Sequence, residues 1–303
     1  MLDCARWRAP TTRGDRMEII LARDMGFCWG VRRAIEIMER AAQEKGEIIS
    51  LGPIAHNPLV MAKLEERGVR LANGGEMPQG RPLAITAHGA GPEVYQRARE
   101  QGVEIIDTTC PIVTRSQRWA KRMVDQGFTV VIFGDANHRE VRGVLAWTQG
   151  KGIAVTDISE LPPHLSRVAV ISQTTQNPDK FADFVSRLLK ERVDEIHELR
   201  LVNTLCNVTS SQQEAARELA REVDVVIVVG GRSSANTRHL VEVCQEEGAE
   251  TYHIERAEEL EPGWLQGRQR VGITAGASTP DWAVEEVVAR IREMAASGLI
   301  PQD

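Results

Sequence analysis

No stretch of this 303-residue chain stays apolar for the roughly 20 residues that a membrane span requires. The first sixteen residues, MLDCARWRAPTTRGDR, lack the apolar stretch of a secretory signal. They read as a disordered extension (1–16), with Met17 an equally good start, and the expected compartment is the cytoplasm. Positive charge is also in short supply. A net charge of −6 argues against nucleic acid as a partner, because neutralising phosphates requires a basic face. Heptads, low-complexity tracts and long single-sign blocks are missing. Cysteine is scarce as well: five residues, an odd number with no CxxC pair, do not form a disulfide framework and exclude a zinc ribbon. In a reducing compartment such isolated cysteines are either buried filler or chemistry. What is present is enough apolar residue, 42% over 303 positions, for two or three compact units.

Internal similarity singles out three of the cysteines. Cys28, Cys110 and Cys206 lie 82 and 96 residues apart, and each opens a helical stretch followed by a strand. After Cys28, Val31, Ala34, Ile35 and Met38 fall on one helical face. The strand that follows each cysteine ends in a glycine 24 residues on, at Gly52, Gly134 and Gly230, and a polar residue stands four further, at His56, His138 and Ser234. A second strand and helix follow in each unit. Aligned on Pro92, Pro178 and Pro280, these show an apolar strand, a small polar turn, then proline and an acid, a helix start for which Gly91, Asn177 and Thr279 are the expected caps.

Alternating strand and helix implies α/β units with mostly parallel sheets. The expected organisation is a first unit at 30–109, a second at 110–205 and a third at 206–303. The third lacks a strand after its last helix, so the N-terminal strand within 17–29 completes it and closes a pseudo-threefold ring. The carboxyl ends of the strands, where open α/β sheets bind ligands, would then face one centre.

Each of the three cysteines sits at a strand-to-helix junction, where backbone N–H groups and the helix dipole favour thiolate. Three thiolates on one axis need a cation, and three protein ligands leave one coordination position open for chemistry. A Cys₃ zinc site and a three-cysteine [4Fe–4S] cluster both suit soft sulfur ligands; the residues leave both open, with iron–sulfur favoured. Cys4 and Cys244 fall outside the pattern and read as incidental or structural. The strand tips carry His56, Asn57, His88, His138, Arg139, Glu140, Thr174, Thr175, Ser233, Ser234, Asn236 and Ser278, a polar lining suited to a phosphate or diphosphate. Glu140, the carboxylate of this set apart from the acids that follow the prolines, suggests proton delivery, directly or through Thr174. The aromatics flanking Cys28 are expected to wall the centre from water. His164, His197, His239 and His253 read as ordinary turn or surface histidines.

The segments GFCWGVRRAIE, LGPIAHNP, TAHG, DTTCPIVT, NHREVRG, SQTT, VVGGRSSANTRHL and ITAGASTP occur in this order over nearly the whole chain after residue 17. Together they resemble the 4-hydroxy-3-methylbut-2-enyl diphosphate reductases of the methylerythritol phosphate route to isoprenoids. The resemblance implies a trefoil of three α/β units around a [4Fe–4S] cluster held by Cys28, Cys110 and Cys206. It also implies reductive dehydroxylation of an allylic diphosphate to isopentenyl and dimethylallyl diphosphates, with electrons from ferredoxin or flavodoxin. By motif, His56, His88, Ser234, Asn236 and Ser278 bind the diphosphate, His138 contacts substrate, and Glu140 with Thr174 relays protons. Three positions depart from the family's usual pattern. Arg139 replaces a proline, with a less rigid loop expected. Ala235 replaces a serine, removing a phosphate hydrogen bond worth roughly 1 kcal/mol. Gln212 replaces an arginine. The same scaffold would also serve a non-redox hydro-lyase or an iron–sulfur sensor.

Overall fold

Runs such as VVIVV and TVVIF, rich in β-branched residues and ended by glycine, form strands, and the amphipathic stretches between them form helices. The computed structural model describes residues 17–72 and 77–300; the expected extension at 1–16, with Cys4, lies outside them. In chain order the first elements are β1 (Glu18–Leu21), α1 (Trp29–Lys45), β2 (Ile48–Ser50), α2 (Pro58–Glu66), β3 (Val69–Leu71), β4 (Leu83–Ile85), α3 (Pro92–Glu100) and β5 (Ile105–Asp107). Then come α4 (Pro111–Asp125), β6 (Thr129–Phe133), α5 (Arg139–Ala146), β7 (Gly152–Val155), β8 (Arg167–Ser172), α6 (Pro178–Arg192) and β9 (Glu198–Leu201). The last are α7 (Asn207–Ala220), β10 (Val225–Val229), α8 (Ala235–Glu246), β11 (Glu250–Ile254), β12 (Arg270–Ala275) and α9 (Asp281–Ala296). Among the described residues, 17–28, His56–Val60 and 207–300 form one compact unit; Trp29–Ala55, 61–72 and 77–206 form a second.

Three parallel four-stranded sheets result, in the orders β3-β2-β4-β5, β7-β6-β8-β9 and β11-β10-β12-β1. The order is the same each time, and the outer strand beyond the third position comes from the segment that leads to a cysteine. In the third sheet that strand is β1, with Ile19 opposite Val271. The chain therefore has three parallel-sheet α/β units, the third completed from its N-terminal end. The opposite edge strands, β3, β7 and β11, and the helices α2 and α5 are not marked in the sequence pattern, whereas Leu240, Val241, Val243 and Cys244 read as a helix, which is α8.

The central strands are apolar on both faces because helices cover both. Val225, Ile227 and Val229 of β10 pack with Val284, Val287 and Ile291 of α9, while Val226 and Val228 pack with Leu219 of α7 and Leu240 of α8. Cys244 lies in the latter cluster, donates weakly to the Ala216 carbonyl at 3.7 Å, and has its thiol pushed up to about 12 by burial. It is structural, as expected. In α1 the buried residues include Ala34 and Met38, whereas Val31 and Ile35 are half-buried. Gly91 and Asn177 take the N-cap positions of α3 and α6. Thr279 does not cap: α9 begins one residue later, with Pro280 as N-cap, because the Thr279 hydroxyl donates to the Val229 carbonyl at 3.0 Å.

Ile19 packs into the β10–β12–α9 core, whereas Leu21 on the same strand is exposed. Ile19→Asp is expected to lower unfolding free energy by about 2 kcal/mol, against little change for Leu21→Asp, read by urea denaturation.

Candidate functional site

The three repeat cysteines share one local construction. Each immediately precedes a helix, α1, α4 or α7, and each backbone N–H donates to a carbonyl just past the inner neighbouring strand. The bonds are Cys28 to Ala277 at 3.0 Å, Cys110 to Ala87 at 3.0 Å and Cys206 to Thr174 at 2.9 Å. All three side chains are half-buried. The expectation that the helix N-terminus would favour thiolate fails for Cys110. Burial raises its thiol pKa more than the Ile112 and Val113 N–H groups lower it, and nearby Cys206 and Glu140 raise it further. Desolvation and like charge win over the dipole. A soft cation at Cys110 and Cys206 would reverse the balance, so the donor chemistry fits a thiolate-bound metal or cluster.

In the unit that contains β2–β9, the tips of two sheets meet. Glu140 lies in the first turn of α5 and is 3% exposed. One of its carboxylate oxygens accepts the Thr174 N–H at 2.7 Å, and the other accepts the Thr174 hydroxyl at 2.7 Å. Burial nevertheless holds its pKa above the ordinary carboxylate value, the two Thr174 bonds offsetting only part of the effect. Thr174 thus joins Glu140 through its N–H and hydroxyl and Cys206 through its carbonyl. His138 caps α5, its Nδ1 accepting the Glu140 N–H at 3.2 Å. Its ring lies edge-on to His88, with centroids 5.6 Å apart. His88 is oriented by Thr86, whose hydroxyl sits 3.0 Å from Nδ1. Thr175 accepts from the Gln173 amide at 3.2 Å. Arg139, in place of the family's proline, anchors the start of α5 in a different way: its guanidinium donates to the Leu51 carbonyl at 3.1 Å and lies over Gly52.

In the other unit, His56 and Ser233 approach to 3.4 Å. Ser234 caps α8, accepting the Thr237 N–H at 3.2 Å, and Asn236 and Ser278 are both buried. Asn57 caps α2 through the Leu59 and Val60 N–H groups, while its buried Nδ2 has no partner among the described residues. Gly231 is required here: a Cβ would stand 2.0 Å from the His56 carbonyl oxygen. Gln212, a departure from the family pattern, bonds Asn236 at 3.1 Å and the Gly26 carbonyl at 2.8 Å.

The structure therefore brings His88, His138, Glu140, Thr174, Cys110 and Cys206 together in one unit, and His56, Ser234, Asn236 and Ser278 onto the strand-tip turns of the other, where Cys28 ends its own loop. The sequence reading missed Thr86, and it named Asn57 and Gln212 without giving either a role. Thr86 could have been found from its i, i+2 spacing to His88 after a strand. One expectation fails: Trp29 is 61% exposed and does not wall off Cys28. Its position at the very start of α1 turns the ring outward. His253 is held by the Gly230 carbonyl at 2.8 Å and His239 faces Glu242 at 3.3 Å, in keeping with structural roles.

Gly231→Ala is expected to lower stability by about 1–3 kcal/mol through the clash with His56, with Gly263→Ala, which has open space, neutral in the same urea titration. Because the Glu140 pKa is raised on folding, its contribution to stability is complete below about pH 4.3 and is lost as pH rises through the raised value. The melting temperature of metal-free Glu140→Gln, relative to wild type, should therefore climb as pH is raised towards about 8; a constant difference would contradict the buried, raised carboxyl.

A family model described as LytB protein matches residues 19–292. A 4-hydroxy-3-methylbut-2-enyl diphosphate reductase from Dehalococcoides mccartyi strain 195 is 44% identical over 283 residues, covering 92% of this chain and 99% of its own. One from Aquifex aeolicus is 42% identical over 291 residues, covering 94% and 99%. Among solved structures, an (E)-4-hydroxy-3-methyl-but-2-enyl diphosphate reductase, described as the terminal enzyme of the non-mevalonate pathway, is 40% identical with a TM-score of 0.67 and covers 91% of this chain and 99% of its own. The E-1-hydroxy-2-methyl-but-2-enyl-4-diphosphate reductase of Plasmodium falciparum is 25% identical with a TM-score of 0.83, covering 91% and 88%. On matches of this breadth, the chain belongs to the LytB family of 4-hydroxy-3-methylbut-2-enyl diphosphate reductases.

Proposed function

We propose that the chain reduces (E)-4-hydroxy-3-methylbut-2-enyl diphosphate to isopentenyl and dimethylallyl diphosphates, with Cys28, Cys110 and Cys206 holding a [4Fe–4S] cluster that keeps one iron without a protein ligand. The observation that carries this reading is the buried Glu140–Thr174 pair, joined through the Thr174 carbonyl to the N–H of a repeat cysteine. In the reaction the allylic C–O bond breaks, two electrons and two protons enter, and water leaves. The double bond ends at one of two positions. When bound, the cluster supplies electrons and a Lewis-acidic site at its open iron.

The remaining work falls to side chains. His56, His88, Ser234, Asn236 and Ser278 bind the diphosphate, and His138 and Thr175 contact the substrate. Ser234 already accepts a backbone N–H, so its hydroxyl hydrogen can go to a phosphate oxygen. Thr174 presents a hydroxyl held by Glu140, and Glu140, whose pKa burial raises, can pass a proton through that hydroxyl to the departing oxygen. A donor such as ferredoxin or flavodoxin supplies the electrons. No helix among the described residues is long and apolar enough to cross a membrane.

The test is anaerobic oxidation of dithionite-reduced methyl viologen, which should depend strictly on the substrate. Turnover without reductant would instead identify a hydro-lyase. Glu140→Gln and Thr174→Val are expected to lose at least about 100-fold in kcat while retaining iron and sulfide; full activity in both would remove them from the proton relay, and a cluster-loaded wild type with no substrate-dependent turnover would point to a sensor. Cys28→Ala, Cys110→Ala or Cys206→Ala should each strip or cripple the cluster, with Cys244→Ala like wild type in iron content.

A further inference from the structure

Gln212 is 2% exposed on α7, six residues after Cys206, and both ends of its amide are committed. Its Nε2 donates to the Gly26 carbonyl at 2.8 Å and its Oε1 accepts from Asn236 Nδ2 at 3.1 Å. A carbonyl oxygen cannot donate, so the Gly26 bond fixes which way the Gln212 amide is turned. That in turn fixes Asn236. Its Nδ2 faces Gln212, and its Oδ1 is buried with no protein partner among the described residues. Asn236 lies in the first turn of α8, beside the cap Ser234. Gly26, at φ +75°, turns the loop two residues before Cys28 and has the Thr279 carbonyl 3.3 Å from where a Cβ would be.

We propose that Gln212 is a positioning residue for the diphosphate site. By accepting one Nδ2 hydrogen it sets the rotation of the Asn236 amide, leaving the second Nδ2 hydrogen for a phosphate oxygen, and by donating to Gly26 it holds the loop that carries Cys28 to the same helix. An arginine at this position could only donate. It would face the Asn236 Oδ1 and turn that amide over, so the departure from the family pattern changes how Asn236 is held rather than removing the support. The inference rests on the assignment of Asn236 to the diphosphate.

The experiment is calorimetric titration of inorganic pyrophosphate into anaerobically purified holoenzyme, comparing wild type, Gln212→Met, Asn236→Ala and the double variant. Gln212→Met is expected to raise Kd about tenfold, as for the loss of a buried hydrogen bond, and to add less than about twofold in the Asn236→Ala background, because it acts through Asn236. With the full substrate, KM should rise in parallel and kcat change little; a merely structural role would lower kcat and melting temperature with Kd unmoved. If Asn236→Ala weakens pyrophosphate but Gln212→Met does not, or if the two effects add, the positioning role is overturned while the diphosphate assignment stands. If Asn236→Ala has no effect, that assignment fails and takes the inference with it. Should Gln212→Met not fold, Gln212→Glu keeps the volume. Its carboxyl form can donate to Gly26 and accept from Asn236, whereas its carboxylate can only accept. Its Kd should match wild type at low pH and exceed it as pH rises, and superimposable curves would overturn the proposal.

Discussion

The structure depends on three equivalent backbone hydrogen bonds, from the N–H of Cys28, Cys110 and Cys206 to the carbonyls of Ala277, Ala87 and Thr174. Each extends a parallel ladder past the formal end of its strand. Ala22, Gly26 and Cys28 bond in turn to Ile273, Ala275 and Ala277, and Thr108 and Cys110 bond to Ile85 and Ala87. In the remaining unit Val202 bonds to Val170, and the Thr204 hydroxyl donates to the Ser172 carbonyl at 2.7 Å before Cys206 reaches Thr174. The sheet therefore delivers each thiol to its carboxyl edge at a set register, and the following helix starts only once that register is fixed. A side chain placed this way is held by backbone rather than by side-chain packing.

The same register governs the Glu140–Thr174 pair. Thr174 holds Cys206 through its carbonyl, so the Thr174 hydroxyl and N–H are already oriented when Glu140 arrives on α5. A carboxylate receiving two hydrogen bonds ordinarily has its pKa lowered, yet burial dominates and moves it upward. Cys110, close by, is raised by burial and by Glu140 and Cys206 together. The cluster is a region where negative charge is costly in the protein alone. That is the electrostatic condition under which a bound cation gains most.

Much of this was legible in the sequence because the repeat is written in residues that strands and turns cannot vary freely. The glycines after β2, β6 and β10 and the cysteines before α1, α4 and α7 fixed the units, and the missing last strand of the third predicted the β1–β12 pairing. The edge strands β3, β7 and β11 escaped because most of their residues are half-buried or exposed, so neither a continuous apolar run nor a clean alternation marks them. At the strand tips, registry and chemistry single out the cysteines, His138, Glu140 and Thr174 as candidates. Gln212 was read as a mild departure because a helical glutamine carries no period and no motif; its meaning lies in two partners, Gly26 and Asn236, one of them 186 residues away. Trp29 was misjudged for the opposite reason: sequence adjacency to Cys28 suggested shelter, but the first residue of a helix can point its ring outward, and here it does.

The repeat also explains how one scaffold carries different polar groups without losing stability. After β2, β6 and β10 the chain must start a helix, and its first N–H groups need an acceptor. Asn57 serves α2, His138 serves α5 and Ser234 serves α8. Each satisfies the helix with one lone-pair site of a group that has a second polar function: an amide NH₂, a second ring nitrogen or a hydroxyl hydrogen. At each place a polar side chain accepts a helix N–H, and asparagine, histidine and serine differ in the second polar group they leave free. Replacing any of them with alanine would therefore remove a cap, whereas exchanging one cap type for another keeps it and changes the free polar group. Selection on chemistry could act at these tips while the demand for a cap kept them polar, which is why polar groups concentrate at the carboxyl edges of three otherwise apolar sheets.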